Sequence, residues 1–282
     1  MIAGIFEPFG LAFFRNGLLV ATLAGAICGL IGCYVVMRQL SYIGHGLSHS
    51  IFGGAAASAV LSVNFYLGAG VWGLLSALMI ARVARRGKIG SDAAIGVITT
   101  ASFAIGIALS NRFGQAKKSI DAVLFGSILG VSAGDVIAVA FAGLLAVAVI
   151  WTCYRKLLFA TFDAEVAEVS GVNVARMESL LMLMLAITIL FTMKVMGVLL
   201  ISALLVTPAV IARMLTNSFA RMLWIAPSIG AACGFTGMLL SYYIDVSSGA
   251  TIILMASAVF LVVYTVTGTR GRRNMAGLAH GH

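Results

Sequence analysis

The stretch "SYIGHGLSHS", residues 41–50, sets His45 and His49 four positions apart in a chain of 282 residues with only four histidines. The other two, His280 and His282, fall within the last three residues. Residues four apart on a helix share one face, so two imidazoles placed this way can close on a single ion. Neutral imidazole nitrogen suits zinc and related divalent metals. The spacing fits equally well two histidines near a helix end, hydrogen-bonded to interfacial water. Two ligands are also too few for a good site, so further ones must come from elsewhere in the chain or from a second copy.

Several other chemistries are excluded. Gly46 stands where an H-E-x-x-H metalloprotease carries its glutamate base. There is no GxxxxGK[ST] phosphate loop, and the near match "RRGKIGSD" lacks the spacing. No histidine has a sequence neighbour that would complete a Ser–His–Asp or Cys–His set. Cys28, Cys33, Cys153 and Cys233 are scattered, without a CxxC pair, and read as small packing residues. The chain is not expected to be an enzyme.

The elements that must position the pair are membrane helices. The chain is 61% hydrophobic and 10% charged, with a mean hydropathy of +1.10, whereas soluble domains carry about 25% charged residues. Apolar runs of about 20 residues, the length that crosses a bilayer, recur from end to end. They predict spans at 16–37, 46–62, 67–84, 92–111, 133–153, 174–193, 196–213, 219–243 and 250–268. The alternating segments of a transmembrane barrel are missing. The expected fold is all-α and polytopic, with eight or nine transmembrane helices in one domain, 1–282. On this count the pair lies near the inner end of the second span. A mid-membrane position would need a longer or broken helix, which Gly44, Gly46, Gly53 and Gly54 would permit.

The net charge of +9 does not indicate nucleic acid, because the basic residues occupy the gaps between apolar runs. Arg85, Arg86 and Lys88, then Arg155 and Lys156, Arg213 and Arg221, and Arg270, Arg272 and Arg273 form a positive-inside pattern. It makes the loops at 85–91, 154–173 and 214–221 and the C-terminus cytoplasmic, and the N-terminus external. Arg112, Lys117 and Lys118 run against it. "MIAGIFEPFGLAFFRNG" has no basic n-region and reads as an amphipathic approach to the first span. "DAVLFGSILGVSAGD" (121–135) reads as a half-helix. The longest polar connection, 157–177, fits a short amphipathic helix from about 162 to 170, with Phe162, Val166 and Val169 on one face. It is either a solvated turn or a docking element for a cytoplasmic partner.

These stretches, in order from about residue 35 to 255, resemble the membrane permease subunits of bacterial zinc/manganese ABC importers. "VMRQLSYIGHGLSHSIFGG" is similar to the family's basic turn leading into G-D-x-x-S-H-A. "SDAAIGVITTASFAIGIAL" resembles its D-x-A-I-G-V block, and "LFGSILGVSAGDV" its L-F-G-x-I-L segment. "VMGVLLISALLVTPAVIARML" resembles its V-G-x-L-L-V-x-A-L-L-x-x-P-A-x-x-A-R span, and "LSYYIDVSSGATIIL" its last outer turn. "FDAEVAEVSGVNV" resembles its coupling segment, which assigns coupling to an ATPase to Phe162, Asp163, Glu165 and Gly171, within about 161–171. The resemblance implies a multi-pass protein of the bacterial cell membrane with a second copy of itself, a cytoplasmic ABC ATPase and an extracytoplasmic metal-binding protein as partners. The divalent metal would be cargo, with no permanently bound cofactor.

In that family an Asp and a His of the second-span motif line the metal path, and they fall here on His45 and His49. Histidine replaces the usual aspartate at His45. Four nitrogens from two copies would fit tetrahedral zinc better than manganese, which prefers oxygen, so zinc is slightly favoured. Pro208 is expected to shape its helix. Asp245, with Ser247 and Ser248, is expected to cap the last helix, an outer gate or a contact for the delivery protein being the alternative. Two other readings stay open: a permease for a metal chelate or other cargo, and a non-transporting scaffold or receptor subunit.

Overall fold

The computed structural model describes residues 7–40, 42–85, 91–113, 126, 130–198 and 200–279. Among the described residues, ten helices follow a 3-10 turn at Glu7–Gly10. They are α1 (Ala12–Met37), α2 (Ile43–Leu61), α3 (Phe65–Arg85), α4 (Ser91–Phe113), α5 (Ala133–Phe162), α6 (Ala164–Val169), α7 (Val174–Met196), α8 (Ile201–Leu215), α9 (Phe219–Ile244) and α10 (Ser248–Ala279). Among the described residues the fold is all-α, and nine of the helices fall on the nine expected spans. Most of 121–135 lies outside the described residues, as do His280 and His282.

Among the described residues, seven helices are long and apolar enough to cross a membrane: α1, α3, α4, α5, α7, α9 and α10. Of the nine helices that fall on expected spans, the other two, α2 and α8, are interior. α2 is diluted by glycine, serine and histidine, and α8 has only 15 residues. A helix enclosed by protein need not be apolar all round, because it does not meet lipid. α5 shows the opposite case. Ile137, Phe141, Leu144 and Trp151 are exposed at helical spacing, the face of a helix turned to hydrocarbon.

α1 packs along α9, and α7 sits centrally against α1, α2, α3 and α5. α2, α3 and α4 form a second group, tied by a buried hydroxyl chain. Ser50 Oγ donates to Ser76 Oγ at 2.6 Å, and Ser76 Oγ lies 3.5 Å from Ser102 Oγ.

Alternating helix direction sorts the polar features to two ends. At one end Phe219 of α9 packs edge-on against Tyr34 at 5.1 Å and Phe162 at 5.4 Å. Arg38, Arg85, Arg176, Arg213 and Arg221 lie at or near helix ends there. At the other end the buried carboxylate of Asp135 accepts from Tyr66 Oη and, at 2.8 Å each, from Ser132 N and Ser132 Oγ. This capping box starts α5 and ties it to α3.

Candidate functional site

α1 ends because Gln39 takes a left-handed conformation, φ 58°. Leu40 N then donates back to Val35 O at 3.0 Å, the six-to-one bond of a Schellman end. Ile43 N donates to Leu40 O at 2.9 Å, and α2 starts. The helix continues unbroken to Leu61, so the glycines at 44, 46, 53 and 54 do not interrupt it. They admit neighbours instead. A side chain at Gly46 would collide with Ile95 and Thr99 of α4, at 2.6 and 3.1 Å.

The pair is deeper than the span count implies. A Cβ at Gly44 would meet the Leu205 side chain at 2.8 Å, and Gly32 packs on the main chain of the same Leu205. Gly32 is five residues before the end of α1, so α2 enters about 8 Å inside the bundle. The turn at 38–40 that closes α1 leads to that level. At 19 residues α2 spans about 28 Å against about 39 Å for the 26 residues of α1, so both reach the opposite end together. No broken helix is needed.

His45 and His49 are half-buried, and their Nε2 atoms lie 3.1 Å apart. That separation serves an N–H···N hydrogen bond between two neutral imidazoles, one of them the donor. Bonds of about 2.1 Å from both nitrogens to one ion would subtend about 95° across the same gap. Ser48 Oγ donates to the His45 carbonyl at 2.8 Å. The Tyr42 ring lies 5.6 Å from His45, and the Phe103 ring lies edge-on to His49 at 4.9 Å. Nδ1 of His49 is buried and meets no hydrogen-bond partner among the described residues. An orphaned buried polar atom costs about 1–3 kcal/mol, which is unlike an ordinary packing histidine. Among the described residues no group of three or more His, Cys, Asp or Glu could hold an ion. Among the described residues, the facing nitrogens of His45 and His49 are what one copy offers.

The residues expected to couple to an ATPase gather at the basic end, with a changed boundary. The short helix is Ala164–Val169 rather than 162–170. Asp163 is its N-cap, its carboxylate accepting from Val166 N at 2.9 Å, so the extended backbone there separates Phe162, the last residue of α5, from α6. Ala167 is fully buried against Ala160 and Val174. Phe162, Val166 and Val169 are 53%, 49% and 91% exposed, and Glu165 is exposed beside them. Gly171 holds φ +78°, the left-handed turn that leads back to α7.

Pro208 is buried inside α8, where the ring removes a helical N–H. Asp245 is at the opposite end of the molecule. It takes φ 51° and closes α9, its N–H donating to Ser241 O. Its backbone therefore ends the preceding helix. Ser247 adjoins it, its carbonyl accepting from Thr251 N at 3.1 Å.

The model of the ABC 3 transport family matches residues 11–267. The chain belongs to that family. A manganese transport system membrane protein of Halalkalibacterium halodurans is 33% identical over 260 residues, covering 92% of this chain and 89% of its own. A probable iron transport system membrane protein of Haemophilus influenzae is 32% identical over 272 residues, 96% of this chain and 100% of its own. The solved structure of PsaBC from Streptococcus pneumoniae in complex with Fab has 33% identity, covers 94% of this chain and 95% of that one, and superposes with a TM-score of 0.83. The permease is thus a multi-pass transporter subunit and not an enzyme, with ATP hydrolysis in a separate subunit.

Arg38 and Glu178 were missed in the sequence. Arg38 Nη1 and Glu178 Oε1 lie 3.5 Å apart, paired across 140 positions that no local pattern spans.

Proposed function

We propose that this permease moves a divalent transition metal ion across the bacterial cell membrane as part of an ATP-driven importer, and that the ion is manganese. The observation that carries the reading is the pair of Nε2 atoms 3.1 Å apart on an interior helix. A second copy supplies a second pair, giving four nitrogens, and water completes the shell. The slight preference for zinc drawn from ligand type gives way to manganese because relatives are described as manganese transport proteins. Iron(II) is the second reading, because imidazole suits it and a relative is described as a probable iron transporter. A pair that closes on 3.1 Å suits a bare ion better than a chelate.

The test is manganese uptake by a strain stripped of its own importers and given this permease with its ATPase and binding protein. Iron(II) in excess should inhibit more strongly than zinc. Inhibition by zinc alone, with no manganese accumulated, would overturn the assignment.

The basic end is the cytoplasmic one on this reading, so the C-terminus lies inside and the Asp135 end faces the binding protein. With the four native cysteines removed, Asn64→Cys should react with an impermeant thiol reagent in intact cells and Asn217→Cys should not. Labelling at Asn217 from outside would invert the topology. Pro208 shapes α8 beside the path, and Asp245 with Ser247 forms part of the outer gate.

The exposed face of Phe162, Val166 and Val169, rimmed by Glu165, is the seat for the ATPase. Phe162→Ala combined with Glu165→Lys should lower uptake and ATPase co-purification about tenfold, the loss of one buried aromatic contact, while membrane insertion stays normal. Normal uptake with normal co-purification would remove α6 from the coupling surface.

A further inference from the structure

The turn that lifts α2 into the bundle is also clamped to the element that ends at α6. Arg38, whose side chain is only 8% exposed, closes α1. Its Nη2 donates to the Ala160 carbonyl at 2.8 Å and its Nε to Thr161 Oγ1 at 3.2 Å. Both acceptors belong to the last turn of α5, directly before Phe162 and the Asp163 cap of α6. Its Nη1 faces Glu178 of α7 at 3.5 Å. Glu178 is in turn 4.0 Å from Arg85 of α3, which donates to Ser179 Oγ at 3.2 Å. One guanidinium thus joins the ends of α1, α5 and α7. These groups line a cavity of about 450 Å³.

The next residue, Gln39, has φ 58°, a conformation that costs a non-glycine residue energy and persists only where its surroundings enforce it. Six residues beyond Gln39 stands His45. A displacement of α6 must move the last turn of α5, to which it is joined through Asp163. The grip of Arg38 passes that displacement to the Gln39 turn, and the turn sets the depth and rotation at which α2 begins. The fork of an arginine suits this task, since its planar donors hold several acceptors in one geometry.

We propose that Arg38 is a positioning residue that transmits movement of α6 to the His45–His49 pair through the last turn of α5 and the Gln39 turn. The inference rests on the importer reading above. Coupling between two sites amounts to roughly 5–150-fold in a measured constant, and Arg38 is assigned an effect of that size on metal moved per ATP hydrolysed.

The experiment uses the whole complex, permease with ATPase, in lipid vesicles supplied with the binding protein and manganese. Uptake and ATP hydrolysis are measured on the same preparation for wild type, Arg38→Ala, Arg38→Lys and Thr161→Val. In Arg38→Ala, manganese carried per ATP should fall at least about tenfold, with hydrolysis and co-purification of the ATPase retained. Arg38→Lys keeps the charge facing Glu178 but not the fork, and should fall between. Thr161→Val removes one acceptor and should show a smaller loss of the same kind. Unchanged transport per ATP in both Arg38→Ala and Thr161→Val overturns the proposal. So does a parallel loss of hydrolysis and assembly in Arg38→Ala with normal coupling in Arg38→Lys and Thr161→Val, because the residue is then a structural staple. If the wild type itself carries no manganese or iron, the importer reading fails instead, and that outcome is read separately from any variant.

Discussion

Replacing either His45 or His49 with alanine should abolish metal uptake, by at least about 100-fold, the upper end of what losing even an outer-shell partner of a metal costs. In a symmetric pair of copies one substitution removes two of four nitrogens. The two that remain cannot replace the water stripped from the ion on a path through hydrocarbon, where a charge is expensive. His45→Asp should be milder. It keeps a donor, adds oxygen and negative charge, and shifts selectivity further towards manganese over iron(II). The measurement is competitive uptake of manganese, iron(II) and zinc by wild type and the three variants at equal expression. Normal transport by both alanine variants would make the pair packing residues, joined only by the 3.1 Å nitrogen contact, and the metal path would lie elsewhere.

The helices were legible because each is an apolar run bounded by polar residues, and that signal is local. The helical pair was legible for the same reason: His45 and His49 face each other through the four-residue repeat of a single helix. The depth of the pair was not, because it depends on where the turn at 38–40 comes to rest. That turn is held by Ala160, Thr161 and Glu178, each more than 100 positions away. The start of α6 was misjudged for a different reason. Phe162 continues the apolar spacing, yet Asp163 is a strong N-cap residue, and the cap decides the boundary. Asp245 shows the converse. Aspartate favours both the N-cap and the left-handed turn, and only the bond from its N–H to Ser241 O settles that it closes α9.

One constraint was written in the sequence but went unread. Ala21, Gly25 and Gly29 on α1, and Ala226, Gly230 and Gly234 on α9, each recur every four residues, the small-residue spacing that lets membrane helices meet backbone to backbone. The structure pairs them, Gly29 against Ala226, Gly25 against Gly230 and Ala21 against Gly234. At Gly25 and Gly230 even a methyl group would collide with the other residue's carbonyl. A main chain inside a helix cannot turn aside as a flexible side chain can, so the helices themselves must separate. Overpacking of ordinary cores costs about 1–3 kcal/mol, and a collision with main chain belongs at or above that range. Gly230→Ala should therefore reduce the yield of folded, monodisperse permease by about tenfold, and Gly230→Leu should leave almost none. Ala232→Leu, two residues along the same helix on an exposed position, should leave the yield unchanged. The assay is fluorescence-detected size exclusion of detergent-extracted membranes with equal amounts of message. A Gly230→Leu protein eluting at wild-type level would mean that α1 and α9 do not meet at that point. The interior on which α2 and its histidines are mounted would then be packed differently from the one described.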